Sequence, residues 1–206
     1  MAEEGHAARE AHRAGAAGKG GMPSMLAYTI RSPSQSSAVP YIRIGQGNSS
    51  QVVKPNQPQD NSYWIVILDA KNPTTKVQEW VVPGQNNNTV PSNLDQYMTN
   101  PGYLFAVTTQ VLSNYSVPQG LFYNYLVAHG AGRELQKLEQ VSSRTQTGYG
   151  LYSYVSYILT GQSGPPGQPA YERSACSDAA LLLMSLMPQP NGLPPYSICD
   201  SYTFIT

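Results

Sequence analysis

The stretch that most limits what this chain can fold into is Tyr63–Leu68, "YWIVIL". A strand that alternates apolar and polar residues can leave one face to water. A continuous apolar strand cannot, so this one reads as a central strand covered on both faces. A polar turn over Asp69–Lys76 follows, then a second β-prone run, Val77–Val82. Together "SYWIVILDAKNPTTKVQEWVV", Ser62 to Val82, reads as a hairpin. It is expected to be the central pair of a sheet, serving as scaffold, because an apolar strand covered on both faces has no side left for chemistry.

The rest of the chain supplies partners for that hairpin. "LAYTIR" (Leu26–Arg31) alternates and reads as a strand, as does "VPYIRI" (Val39–Ile44), which Pro40 pushes toward an edge. Gln46–Asn61 and Pro83–Val90 are rich in Gly, Asn, Gln and Pro and read as loops. Ser92 with Asp95 gives a loose capping box for a short helix carrying Leu94, Tyr97 and Met98. Tyr103–Thr109 is a further apolar strand. Pro118–His129 reads as a helix with Leu121, Phe122, Tyr125 and Leu126 on its apolar face, and Arg133–Val141 as a second with Leu135, Leu138 and Val141. Tyr149–Leu159, "YGLYSYVSYIL", alternates as a strand, and Gly161–Pro169 reads as a linker or long loop. The order β β β β α β α α β points to an α+β domain with a mixed or antiparallel sheet. Residues 1–21 read as a solvated arm, tag or leader without the apolar core of a Sec signal, residues 22–165 as the domain, and residues 166–206 as a C-terminal extension packed on it.

Composition narrows the function. The 206 residues carry zero formal net charge, so no basic excess exists to hold a phosphate backbone, and nucleic acid is not an expected partner. No apolar run reaches the roughly 20 residues of a membrane-spanning helix, so membrane insertion is not expected. Only 12% of residues are charged, and 15 Tyr, 17 Pro and 18 Gly stand among many Asn, Gln and Ser. Such a polar, uncharged surface suits an extracellular or particle-associated protein that contacts sugars or assembles with itself.

The middle of the chain resembles a known domain family. The pieces are "YWIVILDAKNPTTKVQEWVV", "SNLDQYMTNPGYLFAVTTQ", "LFYNYLVAHGAGRELQKLEQ" and "YSYVSYILTG". In order and spacing, Tyr63–Gly161 resembles the interleukin-like EMT inducer and pancreatic-derived factor domain, also called the GG domain. Gly102–Val107 stands where that family has its Gly-led aliphatic strand, and Val155–Gly161 where its last strand runs into a Gly. Where the family shows a pair of acids this chain has Thr108, Thr109 and Gln110, so the resemblance extends to fold rather than to a site. It implies a compact β-β-α domain of twisted sheets flanked by short helices, acting as a recognition or hinge module.

Candidate functional groups are few. His129, the one histidine outside the arm, reads as a helix-terminal residue favoured by the dipole. Asp69 and Glu79 share the hairpin and are the nearest approach to a glycosidase pair, yet a turn Asp and a surface Glu are the default reading. No spacing fits a metal or a dinucleotide, so no catalytic residue, metal or cofactor is expected. Aromatics are more suggestive. Tyr152 and Tyr154 share a face with Ser156 and Ile158, and with Tyr149 and Trp80 they are the expected binding residues on an aromatic-rich sheet face. The expectation is a recognition module for a glycan or protein ligand; a self-assembling fibre, tail or filament subunit, a homo-oligomer, is the alternative, and a hydrolase the least supported class. Asn48, Asn87 and Asn114 head N-x-S/T sequons. Cys176 and Cys199 are either a disulfide, worth about 3 kcal/mol in chain entropy, or two small buried thiols; the sequence leaves both open.

Overall fold

In the computed structural model, which describes residues 24–146, 148, 153–189 and 196–200, "YWIVIL" is the middle of a strand buried along its whole apolar length. The strands are β1 (Leu26–Ser32), β2 (Tyr41–Ile44), β3 (Gln51–Val53), β4 (Ser62–Asp69), β5 (Lys76–Pro83), β6 (Tyr103–Gln110), β7 (Leu112–Ser113), β8 (Tyr154–Gln162), β9 (Ala170–Cys176), β10 (Ala180–Pro188) and β11 (Tyr196–Asp200). The helices are α1 (Asp95–Met98), α2 (Gly120–Ala128) and α3 (Arg133–Gln146).

Two antiparallel sheets result, giving a β-rich α+β fold. One has the order β11-β10-β1-β2-β3; the other runs β5-β4-β6-β8, with β9 on the far side of β8. Alternation along β4 sorts its side chains into two cores. Trp64, Val66 and Leu68 join Tyr28, Ile30 and Ile42 between the sheets. Tyr63, Ile65 and Ile67 join Phe122, Leu126, Leu135 and Leu138 under the helices. A strand apolar at every position therefore lies in the middle layer of three.

Several polar groups in the buried layers are paired across the strands. The Tyr28 hydroxyl lies 3.1 Å from Thr160 Oγ1. Ser32 Oγ donates to the Thr109 carbonyl at 2.7 Å, and Thr109 Oγ1 accepts from the Tyr157 amide at 2.9 Å, which ties the two sheets at the end of β6. Just beyond, Val111 takes φ 49°, rare for a β-branched residue, and its amide donates to Pro33 O at 3.2 Å. That kink ends β6 and starts β7, and both pair with the same side of β8.

Several expectations are corrected. The hairpin is not the central pair: β4 is central, but β5 is an edge strand. Its exposed end is guarded by Lys76, whose Nζ donates to Lys54 O at 3.1 Å and Asn56 Oδ1 at 2.7 Å in the loop after β3. Of the linker or long loop read over Gly161–Pro169, Gly161 and Gln162 end β8 and residues 163–169 are the loop of the β8–β9 hairpin, and β10 sits inside its sheet, paired to β1 from Leu26↔Leu186 to Ser32↔Ala180. Strands β9, β10 and β11 are thus members of the two sheets. The span read as loop before Asn61 contains β3, too short to show alternation. Helix α1 is a single turn whose N-cap is Leu94, with Ser92 outside it. On α2 the buried residues are Phe122 and Leu126, while Leu121 is 70% exposed. Residues 1–23 lie outside the described residues.

Candidate ligand cleft between helices α2 and α3

Of the four aromatics expected to bind, the described residues include Tyr154 and Trp80. Tyr149 and Tyr152 lie outside the described residues. Tyr154 opens β8 and is 46% exposed, but Ser156 and Ile158, which follow on its face, are buried beneath the other sheet. Trp80 is half-buried against the helix-side core, edge-on to Tyr97 with ring centroids 5.7 Å apart, so it is a packing residue.

The remaining candidates also resolve into structural roles. His129 closes α2, its Nδ1 2.9 Å from Tyr125 O and its ring on that of Tyr125. Glu79 is opposite Val66 and accepts from Trp64 Nε1 at 2.8 Å, on the side facing the other sheet. Asp69 is one residue past Leu68, hence on the opposite side, and accepts from Lys71 N at 2.8 Å within its own turn. The two carboxylates do not face each other. Cys176 packs on the helix-side core, whereas Cys199 is opposite Ser185 and donates to its carbonyl at 3.4 Å, on the outer face of the other sheet. Both are free thiols, and two sheet layers separate them, more than a disulfide spans. Among the sequons, Asn48 is exposed, Asn87 is half-buried and donates from Nδ2 to Val117 O at 2.9 Å, and Asn114 is fully buried.

The structure does contain one concave polar site that the sequence did not single out. A cleft of about 240 Å³ opens between the approach to α2 and one side of α3. Its polar lining includes Gln119, Tyr123, Glu139, Ser143 and Gln146. The Asn-rich loop read as exposed turns out to brace the start of α2, which forms one wall. Asn87 O accepts from Gln119 N at 2.8 Å, and Asn88 Oδ1 caps α2 by accepting from Leu121 N at 2.7 Å. Gly120 at φ 50° lies so close that a Cβ there would stand 2.1 Å from Asn88 Oδ1, so only glycine fits.

The other wall is α3, fixed at its start by Glu172 of β9. That carboxylate accepts from Glu134 N at 2.7 Å, Leu135 N at 3.3 Å and the Tyr157 hydroxyl at 3.0 Å. Farther along α3, Ser142 Oγ donates to Asn114 O at 2.6 Å. Burial raises the Tyr123 phenol above its ordinary pKa, and the Glu139 carboxylate to which it hydrogen-bonds raises it further. Tyr123 therefore stays protonated and aimed at Glu139. Tyr115, 63% exposed, lies two residues before Val117 of the cleft wall, and its amide donates to Ser113 Oγ at 3.3 Å.

Chemically, this is a surface of one carboxylate, two amides, hydroxyls and aromatic rings. It offers both donors and acceptors, as a hydroxyl-rich ligand needs. Among the described residues no three His, Cys, Asp or Glu side chains converge as metal ligands, and no helix is long and apolar enough to cross a membrane.

No protein-family model and no curated protein matches this chain. The functional argument therefore rests on its own residues and their geometry.

Proposed function

We propose that the chain is a non-enzymatic recognition module that binds a glycan at the α2–α3 cleft, with Tyr123 inside it and Tyr115 as an aromatic rim. The observation that carries this reading is the cleft itself, where Glu139, Gln119 and Gln146 are grouped beside tyrosine rings. Carboxylate and amide groups grip sugar hydroxyls, and exposed rings stack on sugar faces. The non-enzymatic part draws support from how the acids are used: Glu134 and Glu172 hold backbone amides, and Glu79 holds Trp64, Lys76 and Asn56.

Screening the full chain on an array of neutral oligosaccharides tests this. Binding should appear, and Glu139→Gln or Gln146→Ala should weaken it about tenfold, roughly 1.4 kcal/mol, without moving the melting temperature by more than a few degrees. An array without signal, or binding untouched by both variants, overturns the reading.

A second reading, a self-assembling subunit, is favoured by one observation. Leu181 and Leu183 on the outer face of the five-stranded sheet are 47% and 53% exposed, alongside exposed Val52. Light scattering that finds only monomer at high concentration would set it aside.

A further inference from the structure

The charges of α3 are sorted around the helix. At about 100° per residue, Glu139, Ser142, Ser143 and Gln146 share one stripe, and that stripe lines the α2–α3 cleft. The three cations of the helix, Arg133, Lys137 and Arg144, fall roughly 120–160° round from Glu139. Lys137 is moreover paired with Glu134. Across the cleft, α2 carries no charged side chain along Gly120–Ala128. Among the described residues, Glu139 is thus the one charged side chain in the cleft lining. The local field is negative: the charges that act on the Tyr123 hydroxyl are the carboxylates of Glu139 and Glu172.

We propose that the cleft selects a sugar residue bearing a free, protonated amine, with Glu139 receiving the ammonium and Gln119 and Gln146 meeting the neighbouring hydroxyls. The inference rests on the glycan reading above and names the class of glycan. An ammonium has three donors and no acceptor, whereas a carboxylate only accepts and has room for more than the Tyr123 hydroxyl, so the two are complementary. An N-acetylated amine has lost that charge. A carboxylated or sulfated sugar would meet Glu139 and Glu172 with like charge, which costs affinity.

The size of the cleft and the exposure of Glu139 set the scale. At about 240 Å³ the cleft is smaller than the roughly 300–1,000 Å³ of pockets that enclose a whole small molecule, so it holds part of an oligosaccharide. Glu139 is solvent-exposed, so its charge adds a modest, salt-sensitive preference to the hydroxyl contacts.

The test compares two disaccharides of the same β-1,4 linkage, the glucosamine dimer and its N-acetylated form chitobiose, by amide chemical-shift titration of the full chain at about pH 6, where an amine is protonated. In about 10 mM salt the glucosamine dimer should bind about threefold more tightly, and in about 1 M salt the two should converge. Glu139→Gln should bring the low-salt ratio close to one without moving the melting temperature by more than a few degrees. Trilysine, which offers ammonium groups without hydroxyls, should bind more weakly than the glucosamine dimer. Equal affinities, tighter binding of chitobiose, or a preference that survives Glu139→Gln overturns the proposal and leaves the glycan reading standing. Trilysine binding as tightly as the amino sugar overturns it in favour of a basic peptide. No shift with the glucosamine dimer also overturns it, and silence with the neutral disaccharides as well overturns the glycan reading too.

Discussion

Glu134 and Glu172 cap each other's elements. The Glu172 carboxylate of β9 accepts from the Glu134 amide at 2.7 Å at the start of α3, and the Glu134 carboxylate accepts from the Ser174 amide and hydroxyl at 3.0 and 2.6 Å on β9. Each acid thereby satisfies amides that its neighbour's element would leave unpaired, one set at a helix start and the other at a sheet edge. The arrangement fixes the angle of α3 on the sheet, and so the far wall of the cleft.

Removing that acceptor should be costly. Glu172→Ala leaves the Glu134 and Leu135 amides and the Tyr157 hydroxyl without their acceptor, and should destabilise the fold by about 2 kcal/mol. Urea unfolding followed by tryptophan fluorescence reads this as a lower midpoint at unchanged slope. A loss below about 0.5 kcal/mol would contradict the capping role.

Glu134 should leave a signature at acid pH. Burial alone would raise its carboxyl, but the hydrogen bonds from Lys137 and Ser174 outweigh that and hold it below the ordinary glutamate range. A depressed folded-state pKa contributes stability that is complete above the unfolded value, about 4.3, and is lost as the pH falls through the lower folded value. The stability gap between the native chain and Glu134→Gln should therefore narrow as the pH falls from about 5 to about 3. A gap that stays constant over that range would show that the charge contributes nothing.

Gly120→Ala should destabilise by about 1–3 kcal/mol, because alanine at φ 50° is strained and its Cβ meets the Asn88 amide that caps α2. The same variant should weaken glycan binding, since Gly120 lies on the cleft wall. Thermal unfolding and the glycan array check the two halves separately.

The orientation of α2 is tested by a pair of substitutions. Phe122 is fully buried edge-to-face on Tyr63, with ring centroids 5.1 Å apart, so Phe122→Ala should cost about 3–5 kcal/mol. Leu121 points to solvent, and Leu121→Ala should stay within about 0.5 kcal/mol. Equal losses would mean that the helix is turned differently.

What could be read from the sequence follows from periodicity. Tyr63–Leu68 and Tyr103–Val107 are continuous apolar runs and lie in middle-layer strands, and the three-residue spacing of Leu135 and Leu138 placed α3. Elements of two to four residues, such as β3, β7 and α1, carry too few positions for a period to show. The α2 face was misjudged because five apolar or aromatic residues crowd "LFYNYL", so their spacing alone does not say which of them turn inward. Pro and Gly at 161–169 marked a break without telling a hairpin turn from a linker. The cleft was not legible because its groups, Gln119, Tyr123, Glu139 and Gln146, come from two helices whose approach depends on contacts distant in sequence, Glu172 with α3 and Asn87 with Gln119. Likewise, alternation shows that β8 has two faces but not that a second sheet covers the one carrying Ser156 and Ile158.

The measurement that bears most directly on the account is an amide chemical-shift titration of the full chain with neutral disaccharides: lactose, maltose, cellobiose and chitobiose. The account predicts that at least one of them shifts a contiguous set of amides over Val117–Gly120, Tyr123 and Glu139–Gln146, with Tyr115 at its margin. Shifts confined to another surface, or none with any of the four, would contradict it.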